Sequence, residues 1–280
     1  MKTVLAVVGD GSANSVLATA VMAARPFEGC IVGVNALTTE YAVVFGGEMG
    51  FSVSSEVDRT LEREGQERRE QARALFLSVM RQHGVAIDGK GEGLSAEWRE
   101  ETGRQNAVVG TLGRIFDLIV VERPAKLASL AEATLEDALF ESGRPVLMAP
   151  QTAPGSFGQK IVIAWNNSTE TARTVAFAMP FLERAKSIEL ITIEGWQVPG
   201  PSGAEMTAML ARRGLAVRHR HIGTRGRMSP GEIFLAESRS TGADLLIKGA
   251  YTQSRLRQMI FGGATRHIIM EADLPVLLAH

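Results

Sequence analysis

The sequence predicts an α/β protein made of two tandem doubly wound parallel-sheet domains, each of strand order 3-2-1-4-5, paired through their last strands. Three observations carry this. First, the chain is written twice. Val4-Leu5-Ala6-Val7-Val8-Gly9-Asp10-Gly11-Ser12 is echoed by Ile161-Val162-Ile163-Ala164-Trp165-Asn166-Asn167-Ser168, each an apolar strand running into a polar turn. Second, strands and helices alternate, which implies a mostly parallel sheet with helices on both faces. Third, both copies close alike: Asp117 to Val121 matches Asp244 to Lys248, and Arg144 to Ala149 matches Leu274 to Ala279.

Composition agrees with two soluble domains. The chain has 280 residues, 45% hydrophobic and 22% charged, enough for a normal core. A formal net charge of −1 gives no footprint for nucleic acid or an acidic membrane. The one cysteine, Cys30, excludes an internal disulfide and a cysteine-rich metal site, and beside Ile31-Val32-Gly33-Val34 it reads as a small buried hydrophobe. No apolar run reaches membrane-spanning length. Met1-Lys2 leads straight into a strand with no signal core, so a cytoplasmic protein is expected.

Taken in order, the strand at Val4 turns at Ser12 into a helix from Val16 to Ala24, with Ser12 as its expected cap. A second strand follows at Ile31 to Val34. An insertion then sets the first half apart. Tyr41 to Phe51 is glycine-rich and apolar and reads as a loop that could line a pocket or form a lid. Ser54 to His83 reads as one long helix, with Leu61, Ala72, Leu75, Phe76 and Val79 as its apolar stripe. Balanced charge makes it a covering helix rather than a membrane or partner helix. The first domain is placed at 1–150. Gln151 to Gly158, rich in Pro, Gly and Ser, reads as a linker to the second, 159–280.

In the second domain Ser168 caps a helix from Thr171 to Leu182, and a strand follows at Ile188 to Ile193. Gly195 to Ser202 is a connection, Ala204 to Arg213 a helix, and Leu215 to His221 a strand. His219 and His221 share one face of that strand. Two imidazoles with no acidic or thiol third ligand and with flanking arginines read as an edge-strand pair, and no metal site is expected. Ser229 caps a helix opened by Pro230.

The functional lead is the final stretch. Leu245-Leu246-Ile247 is a strand, Gly249 to Gly263 a glycine-punctuated loop, and His267-Ile268-Ile269 part of a helix. Glycines at a helix start let backbone N–H groups approach an anion, and the helix dipole favours it; the same glycines also suit a plain turn. A doubly wound sheet binds ligands between its first and fourth strands, at their carboxyl ends. Those ends are Trp165-Asn166 and Lys248-Gly249. Asn166 can bond a base or ribose; the N–H groups of Gly263, Ala264 and Thr265, with Thr265 Oγ1, can hold phosphates. Arg255 and Arg257 are candidate charge partners. The first half has Glu122 against Gly249, Ala125 against Thr252 and Leu135-Glu136 against Gly262-Gly263, so its site is expected to be empty.

With the repeat and the glycine spacing together, the whole chain resembles the universal stress protein family in its tandem two-domain form. The family's nucleotide motif runs Gly, two residues, Gly, nine residues, Gly, then Ser or Thr. Here Gly249, Thr252, Gly262 and Gly263 take those places, so Thr252 and Gly263 depart from it. The family's binders tend to carry an aspartate where this half has Asn166. The resemblance implies a stress-response protein holding an adenine nucleotide, ATP with Mg²⁺, at the second domain, and base-side contacts from Ala164, Trp165, Asn166 and Ile193. It also implies pairing of the last strands. The exposed apolar edges Val146-Leu147-Met148 and Val276-Leu277-Leu278 give an independent reason for that pairing inside one chain, a pseudo-dimer. A further homodimer stays open. No Ser/His/acid set, nucleophile elbow or P-loop lysine motif is present, so efficient catalysis is not expected. The alternative is a scaffold or interaction protein of the same fold that binds no nucleotide.

Overall fold

The structure, a computed structural model, describes residues 1–9, 12–37, 55–89, 93–223, 226–250 and 263–280. The first half contains β1 (Thr3–Val7), α1 (Ala13–Ala24), β2 (Cys30–Leu37), α2 (Ser55–Gln82), β3 (Ala86–Ile87), β4 (Ser95–Thr102), α3 (Gln105–Leu112), β5 (Leu118–Glu122), α4 (Leu130–Glu141) and β6 (Val146–Ala149). The second contains β7 (Lys160–Ala164), α5 (Thr169–Leu182), β8 (Ser187–Ile193), α6 (Gly203–Arg212), β9 (Val217–Ile222), α7 (Pro230–Thr241), β10 (Leu245–Gly249), α8 (Gly263–Glu271) and β11 (Val276–Ala279).

Among the described residues, eleven strands form one sheet, ordered β3-β4-β2-β1-β5-β6-β11-β10-β7-β8-β9. Each half has the order 3-2-1-4-5, with β3 as a two-residue addition at one outer edge. Every pairing is parallel except the seam. There β6 and β11 run antiparallel, with Leu147 opposite Leu277 and Val146 opposite Leu278. The duplication therefore survives inside a continuous sheet, because each half's exposed edge is satisfied by the other's.

Buried on both faces, the strands read as unbroken apolar runs. Ala6, Ile163 and Ile247 point to the side covered by α1, α2, α5 and α6. Val7, Val162 and Leu246 point to the side covered by α4, α7 and α8. The insertion helix α2 is a covering helix, as its charge balance suggests. Phe76, Val79 and Met80 are buried, and a Cβ at Gly33 would stand only 2.5 Å from the Phe76 ring. That glycine lets the helix seat on β2. The Tyr41–Phe51 segment lies outside the described residues.

Two of the three expected serine caps are realised. Ser168 accepts the N–H of Thr171, and Ser229 forms a capping box with Glu232. Ser202 forms another with Glu205. Ser12 departs from expectation and makes no cap bond. Its N–H and hydroxyl both go to Glu122 instead, at 2.9 and 3.3 Å. A carboxylate is the stronger acceptor, and it draws the serine out of capping geometry.

Candidate functional site

The second-half crevice lies where β7 and β10 end. The sheet divides the sequence-selected residues between its two faces. Trp165 and Gly249 face α5; Ala164, Ile193 and Lys248 face α7 and α8.

On the α5 side the turn after β7 is a closed network. Asn166 is buried. Its Oδ1 accepts the Thr171 hydroxyl at 2.6 Å and the Ser168 N–H at 3.3 Å. Its main chain takes part too, with the carbonyl accepting from Val198 N–H at 3.0 Å. Asn167 adopts a left-handed φ of 69° and donates from Nδ2 to the Val198 carbonyl. Trp165 is 2% exposed, and its indole N–H donates to the Pro201 carbonyl at 3.0 Å. The ring is thus part of the core. It offers no stacking face to a base, and it does not occupy the side where Thr265 lies. The loop around Pro201 is drawn in so tightly that a Cβ at Gly200 would lie 2.3 Å from the Asn167 carbonyl oxygen.

Gly249 is required by close packing. A Cβ there would stand 2.4 Å from the backbone nitrogen of Thr171 in the first turn of α5. Backbone cannot yield as a flexible side chain does, so any larger residue must push the helix away.

On the other side stands a buried amine. Lys248 is 1% exposed. Its Nζ donates to Thr265 Oγ1 at 2.7 Å and to the Gly249 carbonyl at 2.8 Å. It also lies 5.6 Å from the centroid of the Trp196 ring, which packs edge-on against Phe234. No salt bridge to Lys248 occurs among the described residues. Burial brings its pKa down to about 7, with the charge of Glu170 opposing the shift. Ala264 and Thr265 are buried in the first turn of α8, and among the described residues nothing stands within 4 Å of a Cβ at Gly263. The strand end, Lys248 and the start of α8 are therefore brought together. Thr252, Gly262, Arg255 and Arg257 lie outside the described residues. Trp196 falls within the Gly195–Ser202 connection. An aromatic just beyond a strand's carboxyl end was its one available signal.

The halves differ here in a definite way. Aligned on the helix ends Glu141 and Glu271 and on the strand starts Val146 and Val276, Thr265 falls opposite Leu135 and Gly263 opposite Ala133. The pairing of Gly262-Gly263 with Leu135-Glu136 is thus three residues out of step, because the second half has three more residues from the end of β10 to the end of α8 than the first has from the end of β5 to the end of α4. Lys248 falls opposite Val121. Where the second half buries an amine against a hydroxyl, the first half buries Val121 and Leu135 in an apolar cluster. Glu122 occupies the place of Gly249. Its neighbour across the crevice, Gln105, donates to Thr134 Oγ1 at 3.1 Å. An anion entering there would meet a carboxylate.

No family model matches the sequence, and no curated protein matches it. Solved structures do. A universal stress protein from Archaeoglobus fulgidus DSM 4304 is 14% identical, with a TM-score of 0.68 over 99% of this chain and 95% of its own. A candidate universal stress protein from Pseudomonas aeruginosa UCBPP-PA14 is 16% identical, with a TM-score of 0.58 over 100% of this chain and 93% of its own. The fold is that of the tandem universal stress proteins. A functionally unknown protein from Pseudomonas aeruginosa PAO1 shares it, at 14% identity and a TM-score of 0.55. Among the described residues no helix is long and apolar enough to cross a membrane.

Proposed function

We propose that this universal-stress-type chain is a cytoplasmic stress-response protein that binds an adenine nucleotide, ATP with Mg²⁺, at its second half without efficient turnover. One observation carries the reading: the buried Lys248 ammonium, bonded to Thr265 in the first turn of α8. Charged, it has no salt-bridged carboxylate among the described residues, in a site that water does not reach, which is costly. A phosphate at the helix start would supply the missing negative charge and accept the N–H groups of Gly263, Ala264 and Thr265. The first half has apolar side chains in the same places and offers no such gain. Trp165 and Asn166 stay in the core under this reading. The base would then rest against Ala164 and Ile193, on the side of Trp196.

Thermal melting with and without Mg²⁺-ATP tests it. Ligand at about 100 times its dissociation constant adds about 2.7 kcal/mol of stability. Lys248→Met should abolish the shift while leaving the fold intact. No shift at millimolar ATP would overturn the proposal and leave a scaffold of the same fold.

A further inference from the structure

A second cluster lies on the α6 side of the outer edge, on the opposite face from Lys248. Thr192 of β8 and His219 and His221 of β9 share that face. His219 Nε2 stands 3.0 Å from Thr192 Oγ1, and His221 Nδ1 stands 3.1 Å from the same oxygen. The hydroxyl can donate to one ring nitrogen and accept an N–H from the other, and through these two bonds both imidazoles aim at a single point.

The objection that flanking arginines repel a cation falls with the side-chain directions. Arg218 and Arg220 leave the strand on the other face. Arg220 donates to Glu189 at 2.9 Å and to Glu237 at 2.6 Å, and Arg218 lies 3.9 Å from Glu189. Their charge is met by carboxylates beyond the sheet. His219 is held in place, since a Cβ at Gly203 would come within 2.5 Å of its Nε2. His221 is exposed, so the cluster opens to water.

We propose that His219 and His221 form a two-imidazole site for a late divalent transition-metal ion, with Thr192 Oγ1 marking the point of convergence and water completing the shell. Among the described residues no set of three or more His, Cys, Asp or Glu side chains converges. The site is therefore an open chelate. Imidazole ligands favour Cu²⁺ and Zn²⁺, with Cu²⁺ held more tightly, and give no hold on Mg²⁺.

The test titrates the full chain with ZnCl₂, CuSO₄ and MgCl₂ separately by calorimetry, and follows the ring protons of the five histidines by NMR during the zinc titration. The expected result is one equivalent of Zn²⁺, resonance changes confined to His219 and His221, tighter Cu²⁺ binding and no Mg²⁺ heat. H219Q and H221Q should each weaken Zn²⁺ by at least about tenfold. Absence of zinc heat, changes confined to His83, His267 or His280, or undiminished binding in the double variant would overturn the proposal. The NMR assignment on the unaltered chain decides even where a variant fails to fold.

Discussion

The Glu122 carboxylate at the end of β5 accepts the backbone N–H of Ser12 at the start of α1, at 2.9 Å. In the second half the counterpart of Glu122 is Gly249, and the helix start comes down onto its bare Cα. One position in a repeated fold thus meets the following helix in two ways: by a charge in one copy, by absence of a side chain in the other. The first seals its crevice against anions. The second brings α5 close and leaves the opposite side of β10 to Lys248.

Removing Glu122 should therefore act through α1. Glu122→Ala leaves the Ser12 N–H without its acceptor and should lower stability by about 0.5–2 kcal/mol, the range of a lost helix cap. Urea unfolding followed by circular dichroism measures it. A change too small to resolve would mean that water replaces the carboxylate at no cost.

Gly249 and Gly263 should respond oppositely to the same substitution. Gly249→Ala places a methyl 2.4 Å from the Thr171 nitrogen, and overpacking of this kind costs about 1–3 kcal/mol. Gly263→Ala meets nothing within 4 Å among the described residues and should stay within about 0.5 kcal/mol of the parent. Melting the two variants side by side decides whether the glycine after β10 serves close packing.

Lys248 sets a pH dependence whose sign follows from its depressed pKa. Between about pH 7 and the ordinary lysine range, the unfolded chain holds a proton that the folded chain has lost. Stability should therefore rise with pH across that window, by up to about 1.4 kcal/mol per unit, and the gain is lost as pH falls to 7. Lys248→Met removes this slope and should be more stable than the parent at neutral pH. Identical pH profiles for the two proteins would show that the amine is not desolvated.

If phosphate binds beside Lys248, it must hold the amine charged. Mg²⁺-ATP binding near pH 8 should then take up a proton at Lys248. Calorimetry in two buffers of different ionisation enthalpy reads this uptake, and in Lys248→Met it should vanish. Binding with no such difference between parent and variant would place the phosphates elsewhere.

Much of this architecture was legible because buried parallel strands leave unbroken apolar runs, as at Ile161-Val162-Ile163 and Leu245-Leu246-Ile247. Ser168 and Ser229 marked helix starts for a local reason, side-chain capping. β4 was not legible. Ser95 to Thr102 is half exposed and reads Glu-Trp-Arg-Glu-Glu, and its place beside β2 is fixed by long-range pairing rather than by its own pattern. The candidate site was legible by position and less so by chemistry. Spacing located the ends of β7 and β10. It could not tell that Trp165 and Lys248 leave on opposite faces, nor that Asn166 is engaged by Thr171, because both depend on how α5 settles on the sheet.

The seam between β6 and β11 bears on how the molecule is made. During synthesis β6 emerges long before Val276 to Ala279, so the first half must wait with one open flank until the second is nearly complete. A nascent chain in that state invites strand exchange with a neighbour on the same message.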